Sequence, residues 1–180
     1  MAGPLPLWLR HPVVPRLNEL YDGSSADKKV KFFQDSPHAE PNHVLVNEYK
    51  PGQGIMPHED GSAYWPVVAT VSLSAPIVLE IYEKNDDGQR KERPTWRILQ
   101  EARSLLITTD EMYKVYLHGI ANLQEDRDIS PETITNWDLL GEKGNFTAGS
   151  YERSARTSLT YRDVLKVSDL SKKLGIFGKR

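Results

Sequence analysis

The sequence predicts a mostly β protein, a sandwich or jelly roll, on three observations. After residue 42, seven or eight short segments are rich in β-branched and aromatic residues, which are typical of strands. Clusters of turn residues separate these segments. Almost no helical periodicity follows residue 42. Closed or double-sheet β architectures produce this pattern and often hold a metal between their sheets.

The predicted elements fall into two regions, with the boundary at residue 41. Residues 1–41 are a Pro-rich and polar N-terminal segment that contains a short helix, and residues 42–180 are the β domain. Residues 121–150 are acidic, polar and without a clean period, so we expect a mobile insertion there. Residues 165–180 end in a basic tail. The predicted strands are 44–49, 55–60, 65–73, 77–83, 96–99, 104–108, 113–118 and 156–164.

Composition limits the chemistry that the chain can carry. The 180 residues are 38% hydrophobic and 27% charged, with a net charge of −2, so one globular domain without an obligatory nucleic-acid partner is expected. There is no cysteine, which excludes disulfides and zinc–thiolate sites. A bound metal therefore needs His, Asp or Glu ligands, a set that suits iron better than structural zinc.

The sequence also predicts where the protein acts. Prolines at four positions and Arg10 interrupt residues 1–17, so no signal peptide is expected. No window approaches the roughly 18 apolar residues that a membrane span needs. We expect a monomer of the cytoplasm and nucleus that has no membrane partner.

His58 and Asp60 form the most informative pair in the sequence. They are two residues apart in a predicted strand, so both side chains project from the same face. An imidazole nitrogen and a carboxylate oxygen can then reach one divalent ion. The spacing alone is weak, because His38 and Glu40 repeat it by chance among prolines, where no strand would hold them.

His118 is the candidate third ligand. It ends a predicted strand immediately before Gly119, where the ring can turn inward while the backbone bends away. A lone histidine of this kind is more often a core or surface residue. Together with His58 and Asp60 it would complete a two-histidine, one-carboxylate face, which non-haem Fe(II) oxygenases use and which leaves positions open for reactants.

The last predicted strand carries an unusual polar face. A period of two places Arg156, Ser158, Thr160 and Arg162 on the same side. On an ordinary strand this face would be solvated. If it instead lines a cavity, the arginines must meet anions, because a buried unpaired charge is costly. A guanidinium holds a carboxylate through two parallel hydrogen bonds, so a dicarboxylate would suit this face.

Asn47 and Tyr49 share one face of the first predicted strand, just upstream of His58. Both side chains can donate a hydrogen bond to a carboxylate. As isolated residues they are better explained as ordinary strand residues.

Four motifs in this order resemble the AlkB family of Fe(II)- and 2-oxoglutarate-dependent dioxygenases. They are Asn47-x-Tyr49, His58-x-Asp60, His118 and Arg156-x₅-Arg162, and the resemblance extends over residues 42–180. It implies a double-stranded β-helix (jelly roll). It also implies Fe(II) and O₂, with 2-oxoglutarate as co-substrate.

The resemblance further implies a role for each candidate residue. His58, Asp60 and His118 would bind the iron, and no other catalytic residue is implied. Arg156 would bind the distal carboxylate of 2-oxoglutarate. Further co-substrate contacts would come from Asn47, Tyr49, Ser158 and Arg162, although several relatives have Asn at the position of Ser158, and Arg162 could instead serve the substrate.

The implied reaction oxidises a C–H bond of an N-methyl or other alkyl group on nucleic acid or protein, and gives succinate and CO₂. One departure from the family affects the expected substrate. Family members carry a longer N-terminal region that forms a nucleotide-recognition lid, whereas about 40 residues precede the β domain here. A shortened lid leaves an alternative open, in which the chain is a metal-binding jelly-roll interaction module with little or no oxygenase turnover.

Overall fold

A computed structural model describes residues 5–20 and 30–167 of the chain. The N-terminal part contains two short helices, α1 (Leu7–Arg10) and α2 (Val13–Leu17), which confirms the predicted helical start. A proline precedes each helix, at positions 6 and 12. Most of the predicted basic tail lies outside the described residues.

Strands dominate the described part of the chain, with 37% of residues in strands and 14% in helices, which confirms the mostly β prediction. A third short helix, α3 (Asp110–Lys114), and two 3₁₀ helices, Trp137–Leu139 and Lys143–Phe146, lie among the strands. The strands are β1 (His43–Tyr49), β2 (Ile55–His58), β3 (Tyr64–Ser72), β4 (Ile77–Tyr82), β5 (Trp96–Gln100), β6 (Leu105–Thr109), β7 (Leu117–Ile120), β8 (Glu125–Arg127), β9 (Ser150–Glu152) and β10 (Arg156–Val164).

Eight of these strands form two four-stranded sheets. The first sheet has the order β1-β10-β3-β6 and the second has the order β2-β7-β4-β5, while β8 and β9 pair separately. Apart from β4 and β5, which are consecutive and pair with each other, the chain alternates between the sheets, so most neighbouring strands in a sheet are distant in sequence. This is the arrangement of a double-stranded β-helix, the jelly roll of two four-stranded sheets.

The chain divides into two compact units. The first comprises Met1–Val44, Ser62–Trp65 and Arg162–Arg180, and the second comprises Leu45–Gly61 and Pro66–Tyr161. The boundary predicted between residues 41 and 42 divides the chain by sequence character, whereas these units are defined by contacts in space. That boundary therefore stays a prediction. The first unit has a small apolar core, in which Leu9, Val14, Leu17 and Phe33 are buried.

Strand β4 organises the core of the second unit. Its side chains alternate between two hydrophobic clusters, because successive residues of a strand point to opposite faces. Ile77, Leu79 and Ile81 belong to one cluster, together with Ile120 of β7. Val78 belongs to the other cluster.

The segment 121–150 fills that other cluster, so the expectation of a mobile insertion was wrong. Ile129, Ile134, Leu140 and Phe146 are buried against Val78 and Leu99. The sequence did not reveal this packing because four apolar residues at irregular spacing have no helical or strand period.

A buried ion pair also holds this part of the second unit. Arg153 donates to both carboxylate oxygens of Asp126, at 2.9 and 2.6 Å, and to the carbonyl of Ala121 at 2.6 Å. The two charged side chains are only 3% and 2% exposed. Since such a bidentate pair is satisfied only in one arrangement, it fixes the strand pair β8–β9 against the segment that leaves β7.

The predicted strand 113–118 was wrong in its first half. Asp110–Lys114 form helix α3, and β7 begins only at Leu117. Asp110 and Glu111 lie in the first turn, where negative charge favours a helix. Tyr113 is the buried residue of this helix and contributes to the site described below.

Among residues 5–20 and 30–167, no helix is long and apolar enough to span a membrane.

Candidate functional site

A β-bulge in β2 orients His58. In the antiparallel pairing of β2 with β7, Ile55 is opposite Ile120 and His58 is opposite His118. Three steps along β2 therefore match two steps along β7, which means that β2 carries one extra residue. In a regular strand, residues three apart point to opposite faces. The bulge removes this constraint, so that Ile55 packs on the core cluster while His58 faces His118.

Glycine at position 119 allows β7 to approach this bulge. A Cβ atom at Gly119 would lie 2.9 Å from the backbone nitrogen of Pro57 and 3.0 Å from the carbonyl oxygen of Ile55. Contacts this short with backbone atoms cannot be relieved by a rotamer change. The glycine that follows His118 is therefore required for close strand approach, which is a different reason from the backbone bend expected from the sequence.

The structure brings the three predicted metal ligands together. The ring centroids of His58 and His118 are 4.5 Å apart, and His118 Nε2 lies 3.8 Å from Asp60 Oδ2. The side chains of His118 and Asp60 are 23% and 10% exposed. The three groups thus form a shallow, partly buried cluster of two imidazoles and one carboxylate.

Backbone groups orient this cluster. His58 Nδ1 lies 2.9 Å from the carbonyl oxygen of Met56, which can only accept a hydrogen bond, so Nδ1 carries the proton. Nε2 of His58 then has the lone pair that a metal requires. On the other side of the motif, the Tyr113 hydroxyl donates to the carbonyl of Gly61 at 2.7 Å, directly after Asp60.

The donor set fits an iron ion in type, and its spacing is looser than that of a bound site. Two ligands about 2.1 Å from one octahedral ion lie about 3 Å apart, compared with the 3.8 Å found here. Within the described part of the chain, no three His, Asp or Glu side chains are gathered tightly enough to hold a metal as they stand.

Arg156 of β10 forms a second polar cluster in the same unit. The residue is 2% exposed, and its guanidinium donates to Ser158 Oγ at 3.0 Å, Ser72 Oγ at 2.8 Å and Gln100 Oε1 at 2.6 Å. These three partners are themselves nearly inaccessible to solvent. Since Gln100 belongs to the second sheet and the others to the first, the network joins the two sheets of the jelly roll.

The Arg156 network contains a buried cation and no anion. Among the residues that the structure describes, no carboxylate lies within ion-pair distance of Arg156, and its Nε atom is buried without a hydrogen-bond partner. Burial lowers the pKa of Arg156 to about 10, because the charged form has lost its hydration. A guanidinium in this condition gains most from an anion supplied from outside the chain.

Tyr49 of β1 interacts electrostatically with Arg156, and Asn47 lies on the same face of β1 as Tyr49. Burial raises the pKa of Tyr49, while the positive charge of Arg156 acts in the opposite direction, so the two groups interact electrostatically. Tyr49 also packs on the core cluster around Ile77. Asn47 is half-buried on the same face of β1, and its proposed contact with the co-substrate stays a prediction.

Arg162 belongs to the first unit and has different neighbours. Its guanidinium carbon lies 4.2 Å from the centre of the Tyr64 ring, in cation–π geometry. The Tyr64 ring is also 6.0 Å from the ring of His43, whose pKa is lowered by burial and by the charge of Arg162. The role of Arg162 in holding 2-oxoglutarate stays a prediction.

Sequence reasoning missed Ser72 and Gln100. Each is a buried polar residue at the end of a strand, Ser72 in β3 and Gln100 in β5. The available signal was weak: a single polar residue terminates an apolar run in both strands. Only the pairing of distant strands shows that both residues converge on Arg156.

The comparison with protein families gives a match over most of the chain. The profile of the 2OG-Fe(II) oxygenase superfamily matches residues 9–162, a range that includes every predicted metal and co-substrate residue.

Individual relatives are consistent with the AlkB resemblance. The chain is 42% identical over 132 residues to "Probable RNA/DNA demethylase ALKBH6" of Danio rerio, a match that covers 70% of this chain and 54% of that protein. It is 34% identical over 126 residues to "tRNA (carboxymethyluridine(34)-5-O)-methyltransferase alkbh8" of Xenopus tropicalis, covering 69% of this chain and 19% of that protein. The chain thus spans about half of the first relative and about a fifth of the second.

Among solved structures, the chain is similar to one described as "The structure of OsALKBH1". The TM-score is 0.45 with 21% sequence identity, and the match covers 83% of this chain and 60% of that one.

Proposed function

The chain belongs to the 2OG-Fe(II) oxygenase superfamily, and on that premise we propose that it is an Fe(II)- and 2-oxoglutarate-dependent dioxygenase acting on alkylated nucleic acid. In the proposed reaction, O₂ and 2-oxoglutarate are consumed, succinate and CO₂ are formed, and a C–H bond of the substrate becomes C–OH. On an N-methyl group this product would release formaldehyde and leave the base unmodified.

The proposal depends mainly on one observation, that Arg156 is a buried cation without an anionic partner among the described residues. A guanidinium that is 2% exposed and has only neutral partners needs a counter-anion, and its orphan Nε offers a donor for one. The distal carboxylate of 2-oxoglutarate supplies this charge. The interaction would be strong because both groups are removed from water and the guanidinium is already held by three acceptors.

His58, Asp60 and His118 would hold the iron. Bound iron would supply the activation of O₂ that couples decarboxylation of 2-oxoglutarate to oxidation of the substrate. The protein's own contribution is to keep His58 Nε2 unprotonated through the Met56 carbonyl and to hold the Asp60 segment through the Tyr113 hydroxyl. With only one anionic ligand, the site would leave positions open for the co-substrate and O₂.

The substrate class is proposed from the relatives, whose printed names include an RNA/DNA demethylase and a tRNA-modifying enzyme. Both names concern nucleic acid, which favours an alkylated base over a protein side chain.

Succinate formation by the purified, iron-loaded chain tests the proposal directly. We expect 2-oxoglutarate to be converted to succinate faster when N-methylated DNA or RNA oligonucleotides are added than when unmethylated oligonucleotides or a methylated peptide is added. Formaldehyde should appear in equal amount to the stimulated succinate.

The outcomes separate the candidate functions. Stimulation by the methylated peptide alone would replace nucleic acid by protein as the substrate. Metal binding without any succinate would instead identify the alternative, a metal-binding jelly roll without oxygenase turnover.

A further inference from the structure

The hydrogen-bond donors of Arg156 are distributed in a way that limits how it can bind a carboxylate. A guanidinium has five N–H donors: two on Nη1, two on Nη2 and one on Nε. Nη2 donates to both Ser72 and Gln100, so both of its N–H groups are used. Nη1 uses one N–H on Ser158, and Nε uses none.

A carboxylate that accepts two parallel hydrogen bonds must use one of the two edges of the guanidinium plane. Both of these edges include Nη2, since one pairs Nη2 with Nε and the other pairs it with Nη1. An anion bound at the edge formed by Nη2 and Nε would also give the unpartnered Nε an acceptor. Bidentate binding therefore requires that Nη2 give up one of its present partners, Ser72 or Gln100.

Gln100 is the partner suited to exchange. Its amide oxygen lies 2.6 Å from Nη2, which is the shortest hydrogen bond in the network, and it is an sp² oxygen acceptor like that of a carboxylate. Gln100 comes from the second sheet, at the end of β5, and it is 4% exposed. Ser72 is fully buried in β3, next to Arg156 within the first sheet, and its backbone is fixed by bonds to Ser104 and Arg103.

We propose that Gln100 is a neutral placeholder for the distal carboxylate of the co-substrate. It holds Arg156 in position until the co-substrate arrives, and the carboxylate then displaces it. This rests on the proposed function and adds an affinity-determining residue to it. A neutral amide keeps the guanidinium in position when no co-substrate is bound, but it does not neutralise the charge. The incoming dicarboxylate therefore displaces the Gln100 amide from Arg156, since hydrogen bonds between charged groups are stronger than those to a neutral amide.

Two substitutions of nearly the same size test the placeholder. Gln100→Glu puts a permanent carboxylate beside Arg156. It should raise the melting temperature of the protein without co-substrate by about 2–4 °C and weaken 2-oxoglutarate binding at least tenfold. Gln100→Met removes the acceptor while keeping the volume. It should lower the melting temperature by about 2–4 °C and tighten 2-oxoglutarate binding severalfold.

The measurements are differential scanning fluorimetry and isothermal titration of 2-oxoglutarate into the full chain loaded with Mn(II), which needs no turnover. Gln89→Glu, in the exposed hairpin between β4 and β5, is the matched control and should leave both quantities unchanged. A purely structural role for Gln100 predicts that both variants lose stability and affinity together. The placeholder predicts that stability and affinity move in opposite directions.

Weaker binding in Gln100→Met, or wild-type affinity in Gln100→Glu, would overturn the placeholder while leaving the proposed function intact. If wild-type protein does not bind 2-oxoglutarate at all, the proposed function fails, and the placeholder fails with it. If Gln100→Glu does not fold, the sign of the affinity change in Gln100→Met decides alone.

Discussion

The two polar clusters of the second unit are built in opposite ways. The cluster of His58, Asp60 and His118 is partly exposed, and backbone groups and strand geometry hold it in place. The cluster around Arg156 is almost wholly buried, and side chains from three strands hold it.

This difference has a functional reading. A metal site needs access for reactants, so partly exposed ligands on a well-held backbone suffice. A buried cation tolerates no loss of partners, because each unsatisfied donor is costly in a medium of low polarity. Apart from loss of a ligand itself, we therefore expect changes that disturb the backbone around β2 and β7 to weaken metal binding more than co-substrate binding. Changes in the side chains around Arg156 should weaken co-substrate binding more than metal binding.

The largest expected effect is that of Asp60→Ala. It removes the one anionic ligand of the proposed iron site, so Fe(II) or Mn(II) binding and succinate formation should be lost. Metal titration followed by the succinate assay measures both. Asp138→Ala removes a fully exposed carboxylate in the same unit and should leave metal binding unchanged. Retained binding in Asp60→Ala would exclude this residue as a ligand.

Gly119→Ala tests whether the backbone sets the metal site. The new Cβ would collide with Pro57 and Ile55, which should cost about 2–3 kcal/mol of unfolding free energy and weaken Mn(II) binding at least tenfold. Denaturant unfolding and metal titration measure the two effects. The matched control is Gly144→Ala, where nothing lies within 4 Å of the added Cβ. Equal behaviour of the two variants would contradict the close-approach argument.

Arg156→Lys addresses the other cluster. A lysine ammonium cannot form two parallel bonds to a carboxylate, so 2-oxoglutarate affinity should fall about tenfold or more. Mn(II) affinity should change little, which would separate the two clusters functionally. Arg127→Lys, at a side chain that is 75% exposed, is the control. Unchanged 2-oxoglutarate binding in Arg156→Lys would remove this residue from the co-substrate site.

The smallest expected effect is that of Tyr113→Phe. It deletes the hydrogen bond to the Gly61 carbonyl at the end of the His58-x-Asp60 motif and should cost about 1 kcal/mol of stability. Metal affinity should fall a few-fold, with 2-oxoglutarate binding at saturating metal unaffected. Tyr151→Phe is a suitable comparison, since Tyr151 packs on the other core cluster. A larger loss of metal affinity in Tyr151→Phe would contradict the assigned role of Tyr113.

Sequence periodicity anticipated most strands because burial on one face imposes a period of two. It also paired His58 with Asp60, although β2 ends at His58 and Asp60 lies beyond the strand. His118 was added from its place at a strand end and from the family resemblance, and the structure brings the three residues together. It failed at α3, where one turn of helix is too short to produce a period, and at residues 121–150, where buried side chains follow no repeat. The bulge in β2 was also invisible, because one extra residue changes orientation without changing composition.

The amino-acid sequence by itself determined the β class, the three side chains proposed to bind a metal and the pair of arginines on the last strand. These properties can be inferred from residue type and from the spacing of residues along the chain. Tertiary structure alone decided that Gln100 and Ser72 meet Arg156, and that the two arginines of β10 have different surroundings. The physical reason is that partners of a buried charge come from strands far apart in sequence, and only the sheet order brings them within hydrogen-bond distance.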